Sequence, residues 1–252
     1  MRAACCEATV LRNEVIAPDI RLLTVVWPDR DHAPHAGQFF TLRSWGADEA
    51  PFLSRPISVH RWNPDSSTIE FLYQVVGEGT EKLAQLKQQD TFQLTGPMGN
   101  GFDVPDKKIA VVGGGIGTAP MFQLTRELTA AGVKPDVFFG FRDTPYCMEE
   151  YRSIANLVKV STDTGAVGFH GFVTQLYDPA DYDVVLVCGP TVMMKNAARL
   201  CAEKGTPCFV SMEKKMACGI GACLGCTCET KGGEGKSVCK NGPVFDATEV
   251  FF

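Results

Sequence analysis

Short runs of β-branched and aromatic residues alternate with turn residues through the first hundred positions of the chain. These runs predict six strands, at residues 9–15, 20–27, 38–43, 57–61, 68–75 and 90–95. Turn signals such as Pro18-Asp19 and Pro28-Asp29 separate them. One segment in this region, residues 80–87, has helical spacing. The pattern therefore predicts an antiparallel β-barrel over residues 1–103.

The pattern changes at Lys107, where the apolar run of KKIAVVGGGIG leads into a glycine loop and then a helix at residues 119–131. Apolar runs typical of strands buried on both faces follow at residues 136–141, 157–161, 184–188 and 208–211. Helical stretches lie around residues 149–155, 171–176 and 191–204. Strands that alternate with helices predict a doubly wound α/β domain with a parallel sheet over residues 104–211.

The remaining residues, 212–252, are rich in glycine and cysteine and contain few large apolar side chains. Such a segment has too little apolar surface to form a core of its own. We therefore expect a small third domain that is held together by something other than hydrophobic burial. The chain as a whole is predicted to be a multi-domain protein of the β plus α/β class.

The charge balance narrows the possible functions. The chain has 24 basic and 29 acidic residues, a formal net charge of −5, and no dense basic run, which argues against a general nucleic-acid-binding function. No apolar stretch reaches membrane-spanning length, and the charged first fifteen residues lack the apolar core of a secretory signal. We therefore expect a cytoplasmic protein without membrane contact, in a compartment that keeps its 11 cysteines reduced.

Four of the cysteines are spaced as the ligands of a metal centre. Cys218, Cys223, Cys226 and Cys239 follow the pattern C-x4-C-x2-C-x12-C, which is that of plant-type [2Fe-2S] proteins. Structural zinc also uses four cysteines, but usually in two C-x2-4-C pairs. The spacing therefore favours an iron–sulfur cluster and leaves a zinc site as the alternative. Five other cysteines are interpreted as ordinary small residues: Cys5, Cys6, Cys147, Cys201 and Cys208.

The position of the last ligand follows from a predicted hairpin. If residues 227–230 form a strand and Gly232-Gly233 is a two-residue turn, Cys239 lies opposite Cys226. Cys228 remains an alternative ligand, because residues two apart in a strand share one face.

Two loops have the features of a dinucleotide site. The first contains Gly113, Gly114, Gly115, Gly117 and Thr118 between a strand and a helix, where backbone amides can bind a pyrophosphate. The second, Cys188-Gly189-Pro190, follows another predicted parallel strand and would border the same crevice. Each has a structural alternative, because the glycines also suit a tight turn and Cys188 could be a plain buried strand-end residue instead of a nicotinamide contact.

The predicted barrel has candidate residues for a flavin. Arg55 in the segment Arg55-Pro56-Ile57-Ser58 can donate two hydrogen bonds to a pyrophosphate, and Gly79-Thr80 at a helix start can supply backbone amides. Ser58 can hydrogen-bond the edge of an isoalloxazine ring. Taken singly, these residues also fit a surface arginine and a helix cap.

Together these features resemble the ferredoxin-NADP reductase superfamily and, more closely, its family of electron-transfer subunits of NAD-dependent (type 1B) dihydroorotate dehydrogenase. The stretches that carry the resemblance are RPIS, YQVVGEGT, TGPMGNGF, VVGGGIGTAPM, VLVCGPTVMMK, MACGIGACLGCTC and VCKNGPVFDATEV. The resemblance implies that the four cysteines hold a [2Fe-2S] cluster and that the two loops bind NAD. It assigns FAD to Arg55, Pro56, Ile57, Ser58, Leu72, Tyr73, Gln74, Gly79 and Thr80.

The resemblance also implies a relay and a partner. A catalytic subunit would oxidise dihydroorotate on its own FMN, in a heterotetramer with two copies of each chain. Electrons would then pass singly through the cluster to FAD here and leave as a hydride on NAD. The apolar Ile220 and Leu224 could face that partner or pack on their own host domain. Two other functions stay open, a diaphorase-type subunit of another redox complex and a zinc-stabilised binding module.

Overall fold

The N-terminal part is a seven-stranded antiparallel sheet in the computed structural model, which describes residues 3–29, 31–103 and 107–251. Its strand order is β4-β3-β7-β1-β2-β6-β5. The long strand β1 pairs with β2 along one part and with β7 along the other, with a bulge between Val10 and Arg12, so the sheet coils on itself. The elements are β1 (Ala4–Ala17), β2 (Ile20–Val26), β3 (Phe39–Arg43), β4 (Arg55–Ser58), β5 (Arg61–Asn63), β6 (Thr68–Gln74), α1 (Glu78–Ala84) and β7 (Thr91–Met98).

A second seven-stranded sheet has the order β11-β10-β9-β8-β12-β13-β16, and all of its neighbouring strands are parallel except β13 and β16. One apolar cluster includes α2 residues such as Phe122, and another includes α4 residues such as Met194. Both faces of the sheet are therefore covered, as in a doubly wound fold. Its elements are β8 (Ile109–Gly114), α2 (Ala119–Ala130), β9 (Asp136–Phe141), α3 (Met148–Arg152), β10 (Leu157–Thr162), β11 (Phe169–His170), β12 (Val184–Cys188), α4 (Thr191–Lys204) and β13 (Cys208–Ser211).

The C-terminal segment, residues 212–251, shares its core with this second sheet. Its last strand, β16, pairs antiparallel with β13, and Val238 and Cys239 are buried in the same apolar cluster as Val210. This shared core explains how a segment with few large apolar residues folds. The segment contains β14 (Thr227–Glu229), β15 (Gly235–Ser237), α5 (Val238–Asn241), β16 (Val244–Asp246) and α6 (Ala247–Val250).

Several predicted boundaries differ from the structure. The strand predicted at residues 57–61 is two strands, because the chain leaves the ladder at Val59 and His60 to contact α2. The helix predicted at residues 171–176 is a single 3-10 turn, Val173–Gln175. The predicted helices at 80–87 and 149–155 are α1 and α3, which begin earlier and end sooner. In the described part of the chain, none of the helices combines the length and the apolar character that crossing a membrane requires.

The segment from His60 to Trp62 fastens the barrel to helix α2. The buried ring of His60 donates from Nδ1 to the Ala119 carbonyl at 2.8 Å, and the Trp62 amide donates to Gln123 Oε1 at 2.8 Å. The Arg61 guanidinium lies over the Phe122 ring, 4.6 Å from its centroid. These contacts fix the orientation of the two sheets, because β5 belongs to the first sheet and α2 packs on the second.

Protonation of the buried His60 ring is expected to destabilise the folded chain. Burial lowers the pKa of His60 from 6.5 to about 4. The unfolded chain binds a proton near pH 6.5 and the folded chain only near pH 4, so stability falls as the pH drops through this window. Below pH 4, His60 lowers the free energy of unfolding by about 3 kcal/mol relative to neutral pH. Urea unfolding from pH 7 to pH 4 should therefore show a shallower pH dependence in His60→Gln. The exposed His35→Gln is the control, and equal pH slopes in both variants would contradict the prediction.

Candidate functional site

The four predicted ligand cysteines lie on two adjacent parts of the C-terminal segment. Cys218, Cys223 and Cys226 belong to the loop before β14, and Cys239 is the second residue of α5. The Cys223 amide donates to Cys218 Sγ at 3.4 Å, and the Cys239 amide donates to Cys226 Sγ at 3.4 Å. The Gly221 amide donates to Cys239 Sγ at 3.1 Å, which joins the two pairs. Amides aimed at sulfur are a known means of adjusting the potential of an iron–sulfur centre.

The backbone of the cysteine loop curls through left-handed conformations. Gly219 and Gly221 have φ values of +71° and +81°, which glycine adopts at little cost. A Cβ on Gly219 would lie 2.6 Å from Met98 Sδ, and a Cβ on Gly221 would lie 2.6 Å from Lys240 Cδ. Both glycines are therefore required by the curl and by the close approach of β7 and α5.

The ionisation of the sulfurs fits a ligand set. Hydrogen bonds from backbone amides, that of Cys223 first, lower the pKa of Cys218 to about 6. Burial first, and then the hydrogen bond with Cys226, raises the pKa of Cys239 to about 12. A thiolate is the form that binds metal, and Cys218 already favours it. Within residues 3–29, 31–103 and 107–251, no three His, Cys, Asp or Glu side chains are grouped as for a single metal ion.

The hairpin that precedes Cys239 differs from the prediction. The predicted two-residue turn at Gly232-Gly233 is wrong, because the loop has three residues and ends at Gly233, whose φ is +76°. The register shifts by one, so Val238 instead of Cys239 follows opposite Cys226, and its amide donates to the Cys226 carbonyl at 3.1 Å. Cys239 still reaches Cys226 because α5 begins at Val238 and turns the chain back.

Cys228, the alternative ligand, is engaged elsewhere. It lies on β14 opposite Lys236, and its buried Sγ donates to the Lys236 carbonyl at 3.4 Å. Cys226 lies two residues earlier, in the turn before the strand, and its Sγ accepts from the Cys239 amide. The contacts therefore support Cys226 over Cys228 as the partner of Cys239.

A cavity of about 400 Å³ lies between the barrel, the parallel sheet and the C-terminal segment. One wall consists of predicted flavin residues of the barrel: Arg55, Pro56, Ile57, Ser58, Leu72, Tyr73, Gln74 and Thr80. Gly79 lies outside the lining. A Cβ there would meet Arg55 Cδ at 2.9 Å, so Gly79 leaves room for the arginine stem.

Two of these residues also have structural roles. Thr80 Oγ1 accepts from the amides of Val76 and Gly77 at 2.9 and 3.2 Å, which stabilises the turn before α1. The Tyr73 hydroxyl donates to Asn13 Oδ1 at 3.2 Å, and burial raises the pKa of Tyr73 to about 12. The tyrosine ring is therefore held in the barrel core, next to the cavity.

The opposite wall contains residues that the sequence patterns did not single out. This wall is lined by the last residue of β13, by residues that follow it and by residues of three other segments: Ser211, Met212, Glu213, Lys214, Met216, Ile116, Ala119, Pro120 and Pro243. The end of a parallel strand is where open α/β sheets bind ligands, so residues 211–216 had a usable signal. Pro243 had none, because its place depends on the pairing of β16 with β13.

Cys188 lies at the end of β12 and lines the cavity. Burial raises the pKa of its thiol, and the nearby Glu213 carboxyl raises it further. Cys188 is therefore a neutral thiol at neutral pH. Its place on the cavity wall fits a nicotinamide contact, and its burial fits a plain strand-end cysteine, so both interpretations stay open.

The glycine loop packs tightly against the loop that follows β12. Residues Gly115–Thr118 form a 3-10 turn before α2, and Thr118 Oγ1 donates to the Gly115 carbonyl at 2.9 Å. A Cβ on Gly117 would lie 2.5 Å from Gly189 Cα. A Cβ on Gly114 would lie 2.5 Å from Met193 Sδ, and one on Gly113 would lie 2.8 Å from the Phe139 ring. The loop thus joins the two predicted dinucleotide segments, and Gly189 and Pro190 lie directly against it.

Replacement of Gly117 by alanine is expected to force these two loops apart. The new methyl group would meet the backbone of Cys188 and Gly189, which cannot rotate away as a side chain can. We expect a loss of about 1–3 kcal/mol in the free energy of unfolding, measured by urea titration. Gly232→Ala is the control, because nothing lies within 4 Å of a Cβ there. Equal stability of both variants would show that the close approach is absent.

Comparison with known proteins gives similar sequences over nearly the whole chain. Residues 213–251 match the family model for the iron-sulfur cluster binding domain of dihydroorotate dehydrogenase B. An electron transfer subunit of dihydroorotate dehydrogenase B (NAD(+)) from Clostridium acetobutylicum is 47% identical over 216 residues, 85% of each chain. The same subunit from Caldanaerobacter subterraneus subsp. tengcongensis is 40% identical over 252 residues, 98% of each chain.

Solved structures show the same architecture. A chain of the NADH-dependent reduced ferredoxin-NADP oxidoreductase superimposes with a TM-score of 0.85 at 27% identity, covering 96% of this chain and 88% of that one. The ferredoxin reductase of carbazole 1,9a-dioxygenase gives a TM-score of 0.69 at 23% identity, covering 82% of this chain and 68% of that one. The first likeness covers nearly all of this chain, and the second is a likeness of fold.

Proposed function

Because the chain belongs to the family of electron transfer subunits of NAD-dependent dihydroorotate dehydrogenase B, we propose that it carries electrons from a dihydroorotate-oxidising catalytic subunit to NAD. Its relatives at 36–47% identity carry that name, and its C-terminal segment matches the iron–sulfur domain of the same enzyme. The family accounts for the three cofactors FAD, [2Fe-2S] and NAD together.

The observation that carries the proposal is a shared wall. Met216 lines the cavity two residues before Cys218, and Pro243 lines it four residues after Cys239. The segment that bears the cysteines therefore contacts, on both sides of the cysteines, the cavity that the predicted flavin residues line. Electron transfer between two centres requires such proximity, and the protein supplies it through position and surroundings.

The residues proposed for each cofactor are those that the geometry brings together. Cys218, Cys223, Cys226 and Cys239 would hold the [2Fe-2S] cluster. The barrel wall of the cavity would hold FAD, with Arg55 near the pyrophosphate and Ser58 near the ring. The glycine loop with Cys188-Gly189-Pro190 would bind NAD. A flavin exchanges either one or two electrons, so it links a one-electron cluster to the two-electron carrier NAD.

The finer features of the assembly are also proposals. The catalytic partner would carry FMN, and two copies of each chain would form a heterotetramer. Ile220 and Leu224 are 61% and 65% exposed beside the cysteine loop, where Cys223 is exposed as well. Exposed apolar side chains next to a redox centre support docking of the partner there. The division of the chain at residues 103 and 211 remains part of this proposal.

Reconstitution with the partner tests this function. The chain, loaded with FAD and cluster under anaerobic conditions, is mixed with the dihydroorotate-oxidising subunit, dihydroorotate and NAD. We expect NADH, measured at 340 nm, to form only when both subunits are present. If the partner oxidises dihydroorotate with another acceptor but no NADH forms with the loaded chain, this chain serves a different redox complex.

A further inference from the structure

Asn100 joins the barrel to the helix that bears the last cysteine. It follows β7, and its side-chain Nδ2 donates to the carbonyls of Asn241 at 3.1 Å and Lys240 at 3.4 Å. Its backbone amide donates to the Gly242 carbonyl at 2.6 Å, and it forms a parallel bridge with Pro243. The last carbonyls of a helix have no partner within the helix. Asn100 therefore caps the C-terminus of α5 from another part of the fold.

The capped helix determines where one ligand sulfur lies. α5 spans only Val238–Asn241, and Cys239 is its second residue. Cys239 Sγ accepts from the Gly221 amide, and the Cys239 amide donates to Cys226 Sγ. A shift of α5 would therefore move Cys239 against both of the loop residues that it contacts. Such a short helix has little stability of its own, so its position depends on contacts at its ends.

The junction between the barrel and α5, formed by Met98–Asn100 and Lys240–Pro243, also reaches the flavin cavity. A Cβ on Gly99 would lie 2.6 Å from Pro243 Cδ and 2.8 Å from the Gly242 carbonyl, so β7 and the segment after α5 pack without a gap. Pro243 lines the cavity. On the other side of the junction, a Cβ on Gly219 would lie 2.6 Å from the Sδ atom of Met98, the last residue of β7. One short stretch of the barrel thus contacts the cavity wall, the cysteine loop and α5.

We propose that Asn100 is a positioning residue that fixes α5, and with it the ligand Cys239, relative to the flavin cavity. The inference rests on the proposed function, because it assigns Asn100 a role in the geometry of that relay. Asn100 touches neither cavity nor sulfur, and it acts through α5. Without its amide the helix end loses two hydrogen bonds from the barrel and keeps only the backbone contacts.

Amide hydrogen exchange in the cofactor-loaded chain tests the positioning directly. In Asn100→Ala and Asn100→Asp, which both lack the donor, we expect the amides of α5 to exchange about fivefold faster than in wild type. Asn100→Gln keeps an amide and should recover part of the protection. Asn156→Ala is the matched control, because it removes an exposed amide that donates to Asp136 Oδ1 at 2.7 Å, away from α5. If one of the two donor-less variants does not accumulate as folded protein, the exchange rates of the other variant decide the test.

The cluster reports the same change independently. We expect the low-temperature EPR signal of the reduced cluster to broaden in the donor-less variants, while the rate at which NADH bleaches the flavin stays that of wild type. Wild-type exchange in α5 together with a wild-type EPR signal in both variants would overturn the role of Asn100. A wild-type chain that binds no cluster would instead overturn the proposed function, so the two failures are distinguishable.

Discussion

Serine at Cys226 is expected to abolish the [2Fe-2S] centre, whereas serine at Cys228 is expected to leave it in place. Cys226 Sγ accepts from the Cys239 amide, and Cys239 Sγ accepts from the Gly221 amide. These contacts bring Cys226 and Cys239 together at the turn before β14. Cys228 is held on the strand by its bond to the Lys236 carbonyl. A serine hydroxyl can keep that bond but cannot replace a thiolate on iron without weakening the site.

Iron and acid-labile sulfide in anaerobically purified protein measure this difference. We expect about two of each per chain in wild type and in Cys228→Ser, and almost none in Cys226→Ser. The two substitutions are chemically identical and two residues apart, so each controls for the other. Retention of the cluster in Cys226→Ser with loss in Cys228→Ser would show that the ligand is Cys228.

Replacement of Arg55 by alanine is expected to weaken FAD binding by roughly 10- to 100-fold. Arg55 lies on β4 at the cavity wall, where its guanidinium donates to the Leu53 carbonyl and lies 5.8 Å from the centre of the Trp45 ring. These contacts hold the charged group in place before a ligand arrives. A charge-assisted hydrogen bond to a pyrophosphate contributes about 1.5–3 kcal/mol, which corresponds to the stated loss of affinity.

Titration of the flavin-free chain with FAD measures the loss, through quenching of flavin fluorescence. Arg12→Ala is the control, because Arg12 lies in the same barrel, outside the cavity lining, with an exposed side chain that is paired with Glu14. Unchanged FAD affinity in Arg55→Ala would place the pyrophosphate elsewhere. Lost affinity in both variants would indicate damage to the barrel instead of loss of a specific contact.

The fold class was predictable from the sequence because each part of the chain has its own periodicity. The alternating β-type runs before residue 103 and the uninterrupted apolar runs after it predicted the antiparallel and parallel sheets that the structure contains. The strands Asp136–Phe141, Val184–Cys188 and Cys208–Ser211 have the predicted bounds. These strands are buried on both sides, so local pattern and tertiary packing agree.

The errors occurred where tertiary contacts override local pattern. The ladder breaks before Arg61 because His60 turns to the Ala119 carbonyl, a partner that is 59 residues away. The hairpin register was wrong because Gly233, in the left-handed region, ends a three-residue loop, and the sequence Gly232-Gly233 fits either turn. Cys239 reaches Cys226 through the start of a helix that the sequence did not predict.

The site was predictable in part. Eight of the nine residues assigned to FAD line the cavity, because the strands of the barrel bring segments 55–58 and 72–74 together. Glu213, Met216 and Pro243 on the opposite wall were not predicted as site residues, because only the cysteines of their segment have a recognisable spacing. The position of Pro243 depends on β16, which adds the C-terminal segment to the edge of the parallel sheet.

Anaerobic reduction by NADH, followed by low-temperature EPR, tests most directly whether a cluster and a flavin work together in this chain. In protein that contains FAD, iron and sulfide, we expect NADH both to bleach the flavin absorbance and to produce the EPR signal of a reduced [2Fe-2S] cluster. Loss of that signal in Cys226→Ser, with flavin bleaching retained, would complete the predicted result. The contradicting result would be wild-type protein in which NADH bleaches the flavin but produces no EPR signal, although a chemical reductant of the same potential reduces the cluster. Such a result would show that electrons do not pass between flavin and cluster.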